Sequence, residues 1–154
     1  MQVLEAPLSQ TCCPLTDEAE EQPASVWRGP PTLHNVLVID DDPDYRMWIR
    51  ALVGTEGYCV FERDGGRKAD AALCQDCSLV ILDLVMPDGE GLETLQRLRC
   101  EGVTTRILAV SGADNGDLYL LLARRLGADA IASKQTPAVD LRRVIGRLLR
   151  EADV

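Results

Sequence analysis

The sequence predicts an α/β domain, an open, doubly wound parallel sheet of five strands with helices on both faces. Three observations lead there. Five short apolar runs recur along the chain, bounded by turn formers, and each reads as a buried strand. The stretches between them are long enough for helical crossovers, which parallel neighbours require. Those stretches also carry apolar residues at helical spacing, so strand and helix alternate throughout.

Residues 36–40 (VLVID) form the first run and end in three consecutive acids, Asp40, Asp41 and Asp42. Asp42-Pro43 is a helix start, with Asp as N-cap and Pro at the first helical position, where its missing N–H costs nothing. Tyr45, Trp48, Ile49, Leu52 and Val53 follow at helical spacing as far as Gly54 or Gly57. The second run, 58–62 (YCVFE), leads through an Asp64-Gly65-Gly66 turn to a short helix over 67–73. The third, 79–83, opens the stretch LVILDLVMPDGEG and delivers Asp83 to a loop. Leu92, Leu95 and Leu98 then make the stripe of a helix over 92–100, ended by Gly102. The fourth run, 106–110 (RILAV), ends in Ser111-Gly112. A helix from Asn115 or Asp117 to Arg125 follows, with Gly127 as its C-cap. The fifth, 129–133 (DAIAS), ends in Lys134. Thr136-Pro137 starts the last helix, expected to bury Val139, Leu141, Val144, Ile145 and Leu148 while Arg142, Arg143, Arg147 and Arg150 turn away.

With 154 residues the chain holds one domain with a substantial core. The expected division is an N-terminal extension over 1–34, which carries five of the eight prolines and the acids Asp17, Glu18, Glu20 and Glu21, and a folded domain over 35–152. Trp27 stands out in the extension and is a candidate to dock on the body. The net charge of −9 argues against direct nucleic-acid or acidic-membrane binding by this chain. Neither a signal peptide nor a membrane span is read, so a cytoplasmic setting and reduced cysteines are expected. Cys74 and Cys77 form a C-x-x-C pair without a second pair at zinc spacing, and read as structural thiols. His34, the single histidine, reads as a plain surface residue.

In a flavodoxin-like strand order 2-1-3-4-5, the crevice for ligands opens outside the carboxyl ends of strands one and three. Those strands end in Asp40-Asp41 and Asp83. Clustered carboxylates suit a hard divalent ion, and Mg2+ is the expected cofactor because it takes one or two carboxylates and fills its shell with water and phosphate oxygens. Lys134 is one of two lysines against fourteen arginines, so a compact ammonium at a strand end points to a carboxylate or phosphate partner. Ser111 adds a hydroxyl. Together these make a phosphoryl-transfer site with a carboxylate nucleophile. Neither GxxxxGK[ST] nor GxGxxG occurs, so the phosphoryl donor is another molecule.

These motifs, residues 36–43 (VLVIDDDP), 79–91 (LVILDLVMPDGEG), Val110-Ser111-Gly112 and Lys134, resemble the response-regulator receiver domain of the chemotaxis-regulator type over 36 to about 152. The resemblance implies that Asp83 is the phosphoacceptor, that Asp41 and Asp83 ligate Mg2+ with Asp40 acting through water, and that Val85 supplies a backbone carbonyl ligand. It implies Ser111 as switch hydroxyl, Lys134 as phosphate-binding lysine, and a histidine kinase or histidine phosphotransfer protein as donor in a two-component phosphorelay. Two departures matter. Gln135 stands where the family commonly has a proline, and Ile131 stands at the switch-aromatic position, so a ring flip cannot carry the signal. Val85 and Ala113 occupy the places from which polar side chains orient a hydrolytic water, so slow loss of the phosphoryl group is expected. The competing readings are a small phosphatase or phosphotransferase with a catalytic Asp, against which Val85 stands where an acid is required, and a degenerate receiver that only binds partners. The expectation is a regulator rather than an enzyme.

Overall fold

The computed structural model describes residues 34–87, 91–112 and 116–152. In chain order the elements are β1 (Asn35–Ile39), α1 (Pro43–Gly54), β2 (Cys59–Arg63), a 3-10 turn (Gly66–Lys68), α2 (Ala71–Gln75), β3 (Leu79–Asp83), α3 (Gly91–Cys100), β4 (Arg106–Ser111), α4 (Gly116–Arg125), β5 (Ala130–Ser133) and α5 (Ala138–Ala152). Every strand pairing is parallel and the order is β2-β1-β3-β4-β5. This is the doubly wound arrangement read from the sequence.

The pleat sorts the strand residues into two rows. Val36, Val38, Leu79, Ile81, Leu108, Val110, Ala130 and Ala132 pack against α1 and α5, through residues such as Ile49, Leu52, Leu141 and Ile145. Leu37, Ile39, Val80, Leu82, Ile107 and Ala109 meet α2, α3 and α4 on the other face, through Cys74, Leu95, Leu98, Leu120 and Ala123. Leu37, Ile81, Leu82, Leu95 and Leu98 are fully buried. Burial of each such side chain stabilises the fold by about 2 kcal/mol relative to exposure. The sheet is therefore clamped from both sides, which fixes the strand ends relative to one another.

Several local readings differ from the structure. The expected helix over 67–73 is two pieces, because the Asp70 side chain accepts from the Leu73 N–H and starts α2 afresh after the 3-10 turn. β1 and β2 each sit one residue from their expected bounds, as their pairing rather than their apolar content sets the ends. Val139 is 63% exposed instead of buried, because it lies about 200° around α5 from the buried Leu141. His34 is half-buried, with Nδ1 3.2 Å from Ser78 Oγ and its ring edge-on to Tyr58, so it belongs to the packed rim. The N-cap at Asp42 holds, its side chain accepting from the Asp44 N–H at 2.9 Å. Gly102 and Gly127 close α3 and α4 with positive φ, as read.

Cys74, Cys77 and Cys100 are free thiols. Burial pushes Cys74 up to about 11 and Cys77 up to about 12, which keeps both protonated and unreactive at neutral pH. The structural reading of the C-x-x-C pair fits these environments. Trp27, Cys12 and Cys13 lie outside the described residues. No helix among the described residues is long and apolar enough to cross a membrane.

Candidate functional site

The row of strand residues that faces α1 and α5 continues past the apolar core into polar side chains. Asp40 follows Val36 and Val38, Asp83 follows Leu79 and Ile81, and Lys134 follows Ala130 and Ala132. Parallel strands put these three residues at one edge, and the shared parity of the pleat puts them on one face. Asp40 and Asp83 are each only 1% exposed.

Two buried carboxylates side by side require a cation. Lys134 supplies it, with Nζ 2.7 Å from Asp40 Oδ2 and 3.0 Å from Asp83 Oδ2. The remaining oxygens are met by the backbone, since Asp42 N–H donates to Asp40 Oδ1 at 2.9 Å and Val85 N–H donates to Asp83 Oδ1 at 3.1 Å. The arrangement is nearly symmetric. Arg46 donates to the Asp40 backbone carbonyl at 2.7 Å and pairs with Glu62, tying the turn after β1 to β2. Asp41 is exposed, yet one carboxylate oxygen from each of Asp40, Asp41 and Asp83 lies within 4.8 Å of the other two. Oxygens so spaced fit the first shell of a hard cation about 2 to 2.5 Å from each. The acidic cluster can hold a metal.

Electrostatics follow from this crowding. Burial, followed by the charge of Asp40, pushes the Asp83 carboxyl up to about 6, against the opposing pull of the Val85 N–H and Lys134. Burial alone would lower the Lys134 ammonium, but its hydrogen bonds to Asp40 and Asp83 outweigh that and hold it above the ordinary lysine range. A carboxyl raised in the fold adds stability below its unfolded value near 3.8, and that stability is lost as pH rises through about 6. Denaturation of the metal-free protein and of Asp83→Asn should therefore diverge between about pH 4 and 7, the variant gaining on the order of 2 kcal/mol. Parallel stability curves across that window would show that Asp83 is not perturbed.

Ser111 ends β4 and is buried, one strand from Asp83 in the row that continues Ile107 and Ala109. Its backbone carbonyl accepts from the Lys134 N–H at 2.9 Å, which fixes where the lysine leaves β5. The Lys134-Gln135 peptide is trans. Ile131 is half-buried, paired in register with Ala109 and packed into the cluster on the α3 and α4 side. Val85 is 38% exposed beside Asp83, and Ala113 lies outside the described residues.

Three residues of the site were not singled out from the sequence as part of it. A Cβ at Gly91 would overlap the Asp83 carbonyl oxygen and Leu84 Cα, so only glycine lets α3 begin against the end of β3. A Cβ at Gly112 would meet Lys134 Cδ at 3.2 Å, so the lysine stem crosses that glycine on its way to the acids. Tyr45 reads as one more apolar helix position, yet the Lys134 Nζ lies over its ring, 4.6 Å from the centroid. The PDGEG string carries a signal for Gly91 and the Ser111-Gly112 pair carries one for Gly112; no local signal marks Tyr45 as part of the site.

A parallel sheet in this order, with acids and an ammonium gathered at the switch point between β1 and β3, defines the CheY-like class of flavodoxin-fold proteins. The chain belongs to the response regulator receiver domain family, whose model matches residues 36–146. It is a two-component response-regulator receiver domain. It is 30% identical over 129 residues to the C4-dicarboxylate transport transcriptional regulatory protein DctD of Pseudomonas aeruginosa, covering 76% of this chain and 28% of that protein. It is 37% identical over 117 residues to the nitrate/nitrite response regulator protein homolog of Haemophilus influenzae, covering 73% and 55%. The chain thus spans about half or less of the length of these relatives. Among solved structures, the BeF3-activated N-terminal receiver domain of Klebsiella pneumoniae RstA superposes with a TM-score of 0.68 at 25% identity, covering 75% of this chain and 98% of that one. The signal receiver domain of a Luxo repressor protein from Vibrio parahaemolyticus gives 0.70 at 24% identity, covering 79% and 93%, and speaks for the fold. DctD is named as a transcriptional regulator, so the expectation of no nucleic-acid contact finds no support among the relatives.

Proposed function

We propose that Asp83 accepts a phosphoryl group from a histidine kinase or histidine phosphotransfer protein, in a reaction that requires Mg2+ held by Asp41 and Asp83, with Asp40 acting through water and Val85 through its carbonyl. The observation that carries this reading is the convergence of Asp40, Asp83 and Lys134 on one another at a strand-end crevice. Asp83 attacks phosphorus as the carboxylate, and the bond to the donor breaks as the new P–O bond forms. Lys134 stabilises charge on the phosphoryl oxygens, and Mg2+ bound at Asp41 and Asp83 would supply further positive charge that favours the ionised form of Asp83. Ser111 acts as the hydroxyl that follows the phosphoryl group. Ile131 carries no ring to swing, so the readout runs through displacement of the β4–α4 connection. The activated state of the Klebsiella pneumoniae relative is named for a phosphoryl analogue, which supports trapping this chain the same way.

The function is regulatory rather than enzymatic, and residues 35–152 act as one receiver unit, preceded by residues 1–34 as an extension. The unit works in the cytoplasm and contacts other proteins, and the net charge of −9 over the whole chain argues against an acidic membrane surface as its partner. Incubation with a small phosphodonor and Mg2+, followed by mapping of the labelled peptide, tests the reading. One acyl phosphate at Asp83 is expected, and label confined to another residue would move the nucleophile.

The lifetime of that acyl phosphate is a separate expectation. Hydrolysis needs a water in line with phosphorus, and neither Val85 nor Ala113 can hydrogen-bond one through its side chain. Val85→Asn together with Ala113→Glu should shorten the half-life, each polar group contributing on the order of tenfold, about 1.4 kcal/mol of barrier. Decay of radiolabel in parent and double variant measures it, and an equal or longer half-life in the variant rejects the idea.

A further inference from the structure

Tyr45 stands outside every role assigned so far, yet it is in contact with the cation of the site. The Lys134 Nζ that meets Asp40 Oδ2 at 2.7 Å and Asp83 Oδ2 at 3.0 Å also lies over the Tyr45 ring, 4.6 Å from its centroid. An ammonium at that distance is attracted by the negative face of the ring, most strongly where water is scarce. Tyr45 is 8% exposed, and its hydroxyl is buried with no hydrogen-bond partner among the described residues. Buried phenols ordinarily find a partner. The hydroxyl therefore does not explain the residue, and the face of the ring does.

The ring is also held still. It packs in the cluster with Ile49 and Leu141, and Trp48 tilts against it with centroids 5.5 Å apart and planes at 34°. A fixed ring matters because the lysine loses one of its two carboxylate anchors during the reaction. Conversion of Asp83 from carboxylate to acyl phosphate removes one of the two oxygens that hold the ammonium. The ring's attraction does not depend on the state of Asp83. We propose that Tyr45 is a positioning residue for phosphoryl transfer, its ring keeping the Lys134 ammonium over the site while Asp83 changes from carboxylate to acyl phosphate. The inference rests on the reading of Asp83 and Lys134 given above.

Two variants separate ring from hydroxyl. Tyr45→Phe keeps the face, and Tyr45→Leu keeps apolar bulk without it. Proton NMR of the metal-free proteins reads the contact directly, because the Lys134 methylene beside the ammonium feels the ring current. Its protons should be shifted upfield in the parent and in Tyr45→Phe and return to ordinary lysine values in Tyr45→Leu. Identical Lys134 shifts in the parent and Tyr45→Leu overturn the inference, whatever the fate of Asp83. With acetyl phosphate and Mg2+, Tyr45→Leu should slow labelling of Asp83 about tenfold, the equivalent of about 1.4 kcal/mol, and Tyr45→Phe should restore it. In a Lys134→Ala background the Tyr45→Leu change should have no further effect, because the ring acts only through the ammonium. An equal tenfold fall in both backgrounds, or a loss in Tyr45→Phe as large as in Tyr45→Leu, also overturns it. A parent that takes no label at Asp83 counts against the phosphoacceptor reading, and the NMR comparison still decides whether the ring holds the lysine.

Discussion

Asp83→Asn is expected to abolish phosphoryl labelling altogether while leaving the protein folded and more stable than the parent at neutral pH. The two effects have one cause. Asp83 is the buried carboxylate at the end of β3, forced against Asp40 and held near its titration point by burial and that neighbour's charge. An amide keeps the shape and the acceptor for the Val85 N–H, but removes both the nucleophile and the repulsion. Labelling with a small phosphodonor and Mg2+ measures the first effect, and chemical denaturation at pH 7 measures the second. Residual stoichiometric label would place the nucleophile elsewhere. A variant less stable than the parent would show that Lys134 and the backbone donors more than offset the repulsion.

Lys134→Ala is expected to be the most destabilising single change in the site when no metal is present. The ammonium is the cation shared by Asp40 and Asp83, both essentially excluded from solvent, and its removal leaves two like charges buried together. Loss of one partner from a buried ion pair costs about 3 to 5 kcal/mol. The lysine side chain is 19% exposed, so a loss below that range, about 2 to 3 kcal/mol, is expected. Part of it returns if Asp83 protonates, so the loss should be smaller at pH 5 than at pH 7. Mg2+ should restore more stability to this variant than to the parent, because a cation at Asp40, Asp41 and Asp83 then has no ammonium to compete with. Urea denaturation with chelator and with Mg2+ provides the comparison. A variant within about 0.5 kcal/mol of the parent in chelator would show that surrounding solvent already screens the acids.

Much of the fold was legible because the apolar runs of β1, β3 and β4 are uninterrupted and each is punctuated by residues with few structural uses. Asp40, Asp83 and Lys134 were legible for a related reason. A charged residue at the end of a buried run stands out against the run itself, and parallel topology sends all such ends to one edge. The break between the 3-10 turn and α2 was not legible, since Asp70 looks like one more polar residue until its side chain is seen to accept from the Leu73 N–H. Val139 was misplaced because apolar character alone was read as burial, while Leu141 and Ile145 had already set the buried face of α5.

The sequence by itself determined which groups can take part: three acids, one lysine in an arginine-rich chain, a hydroxyl, and the missing ring at Ile131. Their order along the chain and the alternation of elements determined the edge at which they meet. Only the tertiary structure decided how they meet. The parity of three separate strands put Asp40, Asp83 and Lys134 on the face shared with α1, and the docking of α1 against that face brought the Tyr45 ring to the ammonium. Gly112 acquired its meaning in the same step, as the space the lysine stem crosses. The physical reason is that an ion pair or a cation over a ring depends on separations of a few ångströms between residues distant in sequence. Those separations are set by core packing that no local pattern encodes.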